Sequence, residues 1–176
     1  MKYSQPEFYK FNQDSIFLAN LPLQLRPKGG RVLDLCAGSG VIGLEYYMNK
    51  KNSLTHMTFI EKQKEFEPFL RKNIKKAGVV NFQVEILDFS KYKGDEKFDL
   101  IFCNPPFFAP DASRRAKDPC RNLCRQLIGF TFEQLASFIK LNLRLGGEGY
   151  FICRETKVKG ATLELKKGHF SLFKIK

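Results

Sequence analysis

The sequence predicts an α/β fold: a doubly wound, mostly parallel sheet. Three observations predict it. The apolar stretch Arg31-Val-Leu-Asp34-Leu runs into the glycine-rich turn Cys36-Ala37-Gly38-Ser39-Gly40, which opens a helix carrying Val41, Ile42 and Leu44. A second strand pattern, His56-Met-Thr-Phe-Ile-Glu61, ends on an acid 27 residues after Asp34, the length of one helix-and-strand unit. A third, Phe98-Asp-Leu-Ile-Phe-Cys103, contains an unbroken apolar run and is stopped at once by Asn104-Pro105-Pro106.

Each stop has chemical content. Gly38 and Gly40 let the backbone pass close to a ligand, and the helix N-terminus beyond them is electropositive. Asp34 would repel a pyrophosphate there, whereas it suits a cationic ligand. Two successive prolines supply carbonyl acceptors, no backbone donors and a stiff chain, which fits a site that accepts hydrogen bonds from an amino group. On these residues the chain resembles the Rossmann-like class I S-adenosylmethionine-dependent methyltransferases. Asp34-Leu-Cys-Ala-Gly38-Ser-Gly40 is similar to their cofactor loop, and Asn104-Pro105-Pro106-Phe107 to their amino-methylating tetrapeptide. The resemblance covers roughly residues 8 to 155 and is strongest to YfiC-like tRNA adenine-N6 methyltransferases. It implies S-adenosylmethionine as cofactor, held by Asp14, Asp34, Cys36, Ala37, Gly38, Ser39, Gly40, Glu61, Asp88 and Asn104.

In chain order, residues 1–30 are expected to form a cap. Asp14 or Ser15 can start a helix carrying Ile16, Phe17, Leu18, Ala19 and Leu21, which either covers a sheet edge or closes over the cofactor. The resemblance matches Tyr9, Phe11 and Asp14 to a segment over the methionine end of the cofactor. The core spans 31–155. Its first helix runs from Val41 to about Asn49. Glu61 is expected to accept from ribose hydroxyls rather than to be a solvated strand end. A helix from about Glu65 to Lys76 turns Phe66, Phe69, Leu70 and Ile74 inward and stops at Gly78. Its cations, with Lys62 and Lys64, read as a solvated face. Phe82 to Ile86 alternates as a strand. Asp88 follows, as an acceptor for the adenine amino group or as a cap for Phe89-Ser90-Lys91. Phe107 to Arg125 is a long polar loop. Thr131 to Arg144 is a helix ended by Gly146-Gly147, and Tyr150 to Cys153 is the fifth strand. Residues 156–176 read as a shortened C-terminal hairpin, because Arg154 to Gly160 is too short for the usual helical crossover of about a dozen residues.

The 176 residues suffice for a single domain with a core, and 43% hydrophobic content with 18 Phe supports one. There is no apolar run of transmembrane length, and the expectation is a cytoplasmic monomer with no membrane and no metal partner. An odd count of five cysteines argues for free thiols. Cys120 and Cys124 stand four apart, with no nearby His or second pair to make a metal site. Thirty Lys+Arg against 18 Asp+Glu give a net charge of +12, which favours a polyanionic partner. Arg114, Arg115, Lys117, Arg121 and Arg125 concentrate beside the tetrapeptide, and they are the expected nucleic-acid contacts. In the resembling family this segment ends in an Ala-Arg-His-Glu-like sequence. Here it is Cys124-Arg125-Gln126-Leu127, so Arg125 is matched and the His and Glu are not.

The expected reaction is methyl transfer to an exocyclic amino nitrogen, most naturally adenine N6 in tRNA. Asn104 and the Pro105 carbonyl would each accept one N–H, Pro106 would stiffen the loop, and Phe107 would stack on the base. The alternatives are guanine N2 in rRNA, protein glutamine N5, or a non-catalytic RNA-binding homologue.

Overall fold

The computed structural model describes residues 1–11, 15–18, 20, 30–108 and 116–176. Seven strands form one sheet: β1 (Gly30–Leu35), β2 (Leu54–Glu61), β3 (Phe82–Ile86), β4 (Phe98–Cys103), β5 (Leu143–Cys153), β6 (Thr162–Lys167) and β7 (Phe170–Ile175), in the order β3-β2-β1-β4-β5-β7-β6. The first five pair in parallel, and β7 runs antiparallel to both β5 and β6. This is the Rossmann-like class I methyltransferase architecture.

Strand residues alternate between two cores, as a period of two requires. Val32, Met57, Phe59, Leu100, Phe102, Tyr150, Ile152 and Leu172 face helices α1 (Val41–Lys50) and α2 (Glu67–Ala77). Leu33, Leu35, Ile60, Ile101, Cys103, Phe151, Cys153 and Phe173 face helix α4 (Phe132–Asn142). Helix ends follow local chemistry. Pro68 lies in the first turn of α2, where its missing N–H costs nothing, and Gly78 closes the helix at φ 72°. Thr131 caps α4 in a reciprocal box with Gln134.

Two expectations need correction. Helix α4 ends at Asn142, and β5 begins at Leu143, so Gly146-Gly147 lie inside the strand. The register against β4 shifts between Phe98 and Leu100, and a Cβ at Gly147 would lie 2.9 Å from the Phe98 carbonyl, so the glycine serves a close strand approach. Next, the polar loop after the tetrapeptide is not structureless: it holds the short helix α3 (Pro119–Leu123), capped by Asp118, and a bridge between Phe108 and Gln126. The C-terminal hairpin, β6 and β7, joins the main sheet. β7 inserts between β5 and β6, with Phe170, Leu172, Phe173 and Ile175 buried. Only the crossover is short. Residues 154–161 form no helix, and Val158 covers the core in its place. The outer strand β6 is exposed throughout, and Glu164, Lys166 and Lys167 guard its free edge with charge.

The strand order reverses between β1 and β4, and their ends are level, since Leu35 pairs with Cys103. The glycine loop and the Asn-Pro-Pro segment, 70 residues apart in sequence, therefore leave the sheet side by side. That crevice is where α/β sheets bind ligands.

Candidate active site

The glycine loop is held from below and from the side. Asp34 is fully buried, and its Oδ2 accepts from the Gly43 N–H at 2.8 Å. Burial pushes its carboxyl up to about 8, against the pull of the Gly43 N–H and with the Glu61 charge adding to the rise. Asp34 braces the loop from behind and is not among the described residues lining the three cavities below; neither is Gly40, whose φ of 78° turns the chain into α1. Glu61, at the end of β2, accepts from Gly38 N and Gln63 N, both at 2.8 Å. Burial raises its carboxyl above the usual range, opposed by N–H donors from Gln63, Gly38 and Lys62. Asn73 of α2, also fully buried, donates to the carbonyls of Ser39 and Ser4 at 2.9 Å each and accepts from Ser4 N at 2.8 Å. It thereby ties the N-terminal segment to the glycine loop.

Three adjoining cavities meet at Asn104 and Tyr9, which line all of them. The first, about 790 Å³ including space open to solvent, lies between Glu61, Asp88, Cys36 and Gly38 and the apolar Leu87, Phe89, Ile128 and Phe130. The second, about 380 Å³, is smaller and lies against Phe11, Ser15, Ala37, Gly38 and Ser39. The third, about 1110 Å³, opens to solvent over Pro105, Pro106, Phe107 and Phe108. Asn104 donates its amide hydrogen to Ser15 Oγ at 3.0 Å, which fixes the side-chain orientation and turns the amide oxygen the other way. Asp88 combines both of its expected roles. It lines the first cavity and caps the following turn, accepting from Ser90 N at 3.0 Å. Burial opposes ionisation of Asp88, but hydrogen bonds from Lys62 and Ser90 outweigh it and hold the carboxyl below its ordinary range. Lys62, read from sequence as part of a solvated face, pairs with Asp88 at 2.9 Å instead.

Of the expected nucleic-acid contacts, Arg121 and Arg125 line the third cavity. Lys117 is exposed and lines none of the three. Arg114, Arg115 and Asp14 lie outside the described residues. Sequence reasoning missed two residues. Gln63 lines the first cavity and donates to Cys124 Sγ at 3.2 Å, and its buried Oε1 has no hydrogen-bond partner among the described residues. Arg154 packs its guanidinium 4.2 Å from the centre of Phe108 and 5.6 Å from that of Phe107. Residue type marks neither. The one available signal for Arg154 was its position directly after β5, beside the strand that carries Asn104.

No helix among the described residues is long and apolar enough to cross a membrane. Comparison with known proteins gives a consistent picture. Ribosomal RNA small subunit methyltransferase D of Buchnera aphidicola is 32% identical over 83 residues, 46% of this chain and 42% of that protein. Release factor glutamine methyltransferase of Borreliella burgdorferi is 32% identical over 112 residues, 61% of this chain and 37% of that one. The tRNA1(Val) (adenine(37)-N6)-methyltransferase of Glaesserella parasuis is 28% identical over 129 residues, 72% and 52% of the two chains. The chain thus spans about half or less of the length of these relatives. Among solved structures, yhhF of Escherichia coli superposes with a TM-score of 0.67 at 20% identity, covering 99% of this chain and 90% of that one. A methyltransferase from Thiobacillus denitrificans in complex with S-adenosylhomocysteine gives 0.54 at 22% identity, covering 81% and 48%. These likenesses carry the fold. The family model of the methyltransferase small domain matches residues 12–122, more than half of the chain, and the protein belongs to that family.

Proposed function

We propose that the protein is an S-adenosylmethionine-dependent N-methyltransferase acting on an exocyclic amino group of a nucleobase, with adenine N6 in tRNA as the leading substrate. The observation that carries this reading is the junction at Asn104. There a mostly apolar cavity, a smaller cavity of mixed lining and an aromatic-floored cavity converge on one amide.

The residues present fit the cofactor. Leu87, Phe89, Ile128 and Phe130 suit a planar base, with Asp88 at its edge. Glu61 and the orphaned Gln63 Oε1 are acceptors for ribose hydroxyls. Cys36, Ala37, Gly38 and Ser39 border the space for the amino-acid portion. Asp34 and Gly40 would contribute by holding the loop. When bound, S-adenosylmethionine supplies an electrophilic methyl group.

The chain's own residues prepare the nucleophile. An aromatic amine is a poor nucleophile because its lone pair is delocalised into the ring. The Asn104 amide oxygen and the Pro105 carbonyl each accept one N–H, which draws the nitrogen toward tetrahedral geometry and localises the lone pair. Pro106 keeps this stretch stiff, and Phe107 stacks on the flipped-out base. Positioning and electrostatics supply the acceleration, without a strong base. Arg121 and Arg125 supply charge at the cavity rim for a phosphate backbone.

The same tetrapeptide chemistry serves guanine N2 or glutamine N5, and relatives bearing rRNA and release-factor names keep both as the alternatives. The deciding experiment incubates the protein with labelled S-adenosylmethionine and unmodified total tRNA and rRNA, followed by nucleoside analysis. N6-methyladenosine in tRNA is the expected product. N2-methylguanosine in rRNA would promote the guanine reading, and label confined to protein would overturn the nucleobase reading.

A further inference from the structure

Arg154 stands just beyond the last residue of β5, Cys153. Phe151 pairs with Cys103, so the following residues of β5 run alongside the Asn104-to-Phe107 segment leaving β4. The result is an exposed guanidinium packed against two aromatic rings that are themselves stacked, with centroids 5.2 Å apart and planes at 28°. Arg125 approaches the same Phe108 ring at 5.1 Å, and its carbonyl accepts from the Phe108 N–H at 2.9 Å. No carboxylate among the described residues is ion-paired to Arg154.

A guanidinium that lies on an aromatic ring uses its face and keeps its edge donors for a bidentate acceptor. Phe107 and Phe108 form part of the wall of the third cavity; among the described residues Lys10, Arg121, Arg125 and Glu7 also line it. Arg154 is not among the residues of that lining but packs against the aromatic pair that belongs to it. A base stacked on Phe107 would carry its own phosphate past the edge of the ring, and the exposed Arg154 guanidinium packs on the same Phe107–Phe108 pair.

We propose that Arg154 is a substrate-positioning residue, its guanidinium stacked on the Phe107–Phe108 pair and binding the phosphate next to the nucleotide whose base enters the cavity. The proposal rests on the nucleobase reading above and specifies which group holds the target nucleotide in register. Phosphate recognition separates this substrate class from glutamine side chains, which carry no such group.

The test uses the full chain with Arg154→Gln and Arg154→Lys, a pool of unmodified tRNA, and labelled S-adenosylmethionine over a series of KCl concentrations. For Arg154→Gln, KM for tRNA rises about tenfold, as expected for a lost charged contact, while kcat and cofactor affinity stay near wild type. Its tRNA affinity falls less steeply with salt, the log–log slope shrinking by about 0.7 to 0.9, the value for one phosphate contact. Arg154→Lys restores the salt slope but only part of the KM, because lysine keeps the charge and loses the stacked fork. An unchanged KM and slope in Arg154→Gln would overturn the proposal. So would a loss of kcat and thermal stability at constant KM, which would make Arg154 a brace for the aromatic pair. Failure of the wild type to methylate any RNA would instead sink the parent reading, and it is recognisable without either variant.

Discussion

Among the described residues the hydrogen bond to Ser15 orients Asn104, and the proposed chemistry depends on that orientation. Asn104→Ala is expected to lower kcat by at least about a hundredfold, the scale of losing one preorganised polar contact to the reacting group. Cofactor affinity, measured by calorimetry, should change little, because most of the cofactor cavity is built by other residues. Ser15→Ala leaves the amide in place but frees it to rotate; a drop in kcat of about tenfold with KM unchanged is expected. Asp34 carries a separate prediction. Its carboxyl sits at about 8 in the folded chain against an ordinary 3.8, so between those values only the folded state holds the proton. The folded state therefore binds more protons across that window, and stability falls as pH rises from about 4 to about 8. Asp34→Asn keeps an oxygen for the Gly43 N–H and removes the titration. Thermal unfolding of this variant should lose that part of the pH dependence; an unchanged slope would refute burial as the cause.

Helix α1 shows how an element's setting overrides its propensity. Gly43 lies in its first turns, where alanine is favoured over glycine by about 1 kcal/mol in an exposed helix. Here a Cβ would lie 2.9 Å from Asp34 Oδ2 and 3.0 Å from Phe59 Cε1, both belonging to buried side chains. Overpacking of this kind costs about 1–3 kcal/mol. Gly43→Ala should be net destabilising in chemical denaturation, and a stabilised variant would show that the loop yields. The same packing explains why the glycine spacing was legible while its purpose was not. The turn glycines announce themselves by type. The role of Gly43 emerges only when α1 is laid against β1 and β2.

The whole sheet depends on its last strand. β7 contributes Phe170, Leu172, Phe173 and Ile175 to the two cores, and each buried side chain of this size is worth about 1.5–3 kcal/mol. Together they are of the order of the entire stability of a domain, about 5–15 kcal/mol. Removing residues 162–176 should therefore abolish cooperative unfolding; a truncated chain that still melts cooperatively would show that the hairpin is dispensable. Phe17 packs on Phe170 at 5.3 Å, and Lys167 lies 5.0 Å above Phe17, so the hairpin also supports the helical residues that carry Ser15. Loss of the hairpin would thus reach the Asn104 amide, to which a catalytic role is proposed.

Much of this protein was readable in one dimension because its signals are local. The strands at 82–86 and 98–103, the glycine turn, the proline stop and the helix stop at Gly78 follow from residue type and period over a few neighbours. The two loops that meet at the site were visible for the same reason. What sequence could not decide is what depends on contacts between distant segments. β5 begins earlier than its glycines suggest because Gly147 meets the Phe98 carbonyl, and the terminal hairpin joins the sheet because β7 finds β5. Asp34 braces the loop through Gly43, Lys62 pairs with Asp88, Gln63 lines the first cavity and Arg154 packs on Phe108, the last two from positions with no motif around them. Local backbone preference is written in the neighbours of each residue, whereas a side chain's environment is supplied by strands that only the folded sheet brings together.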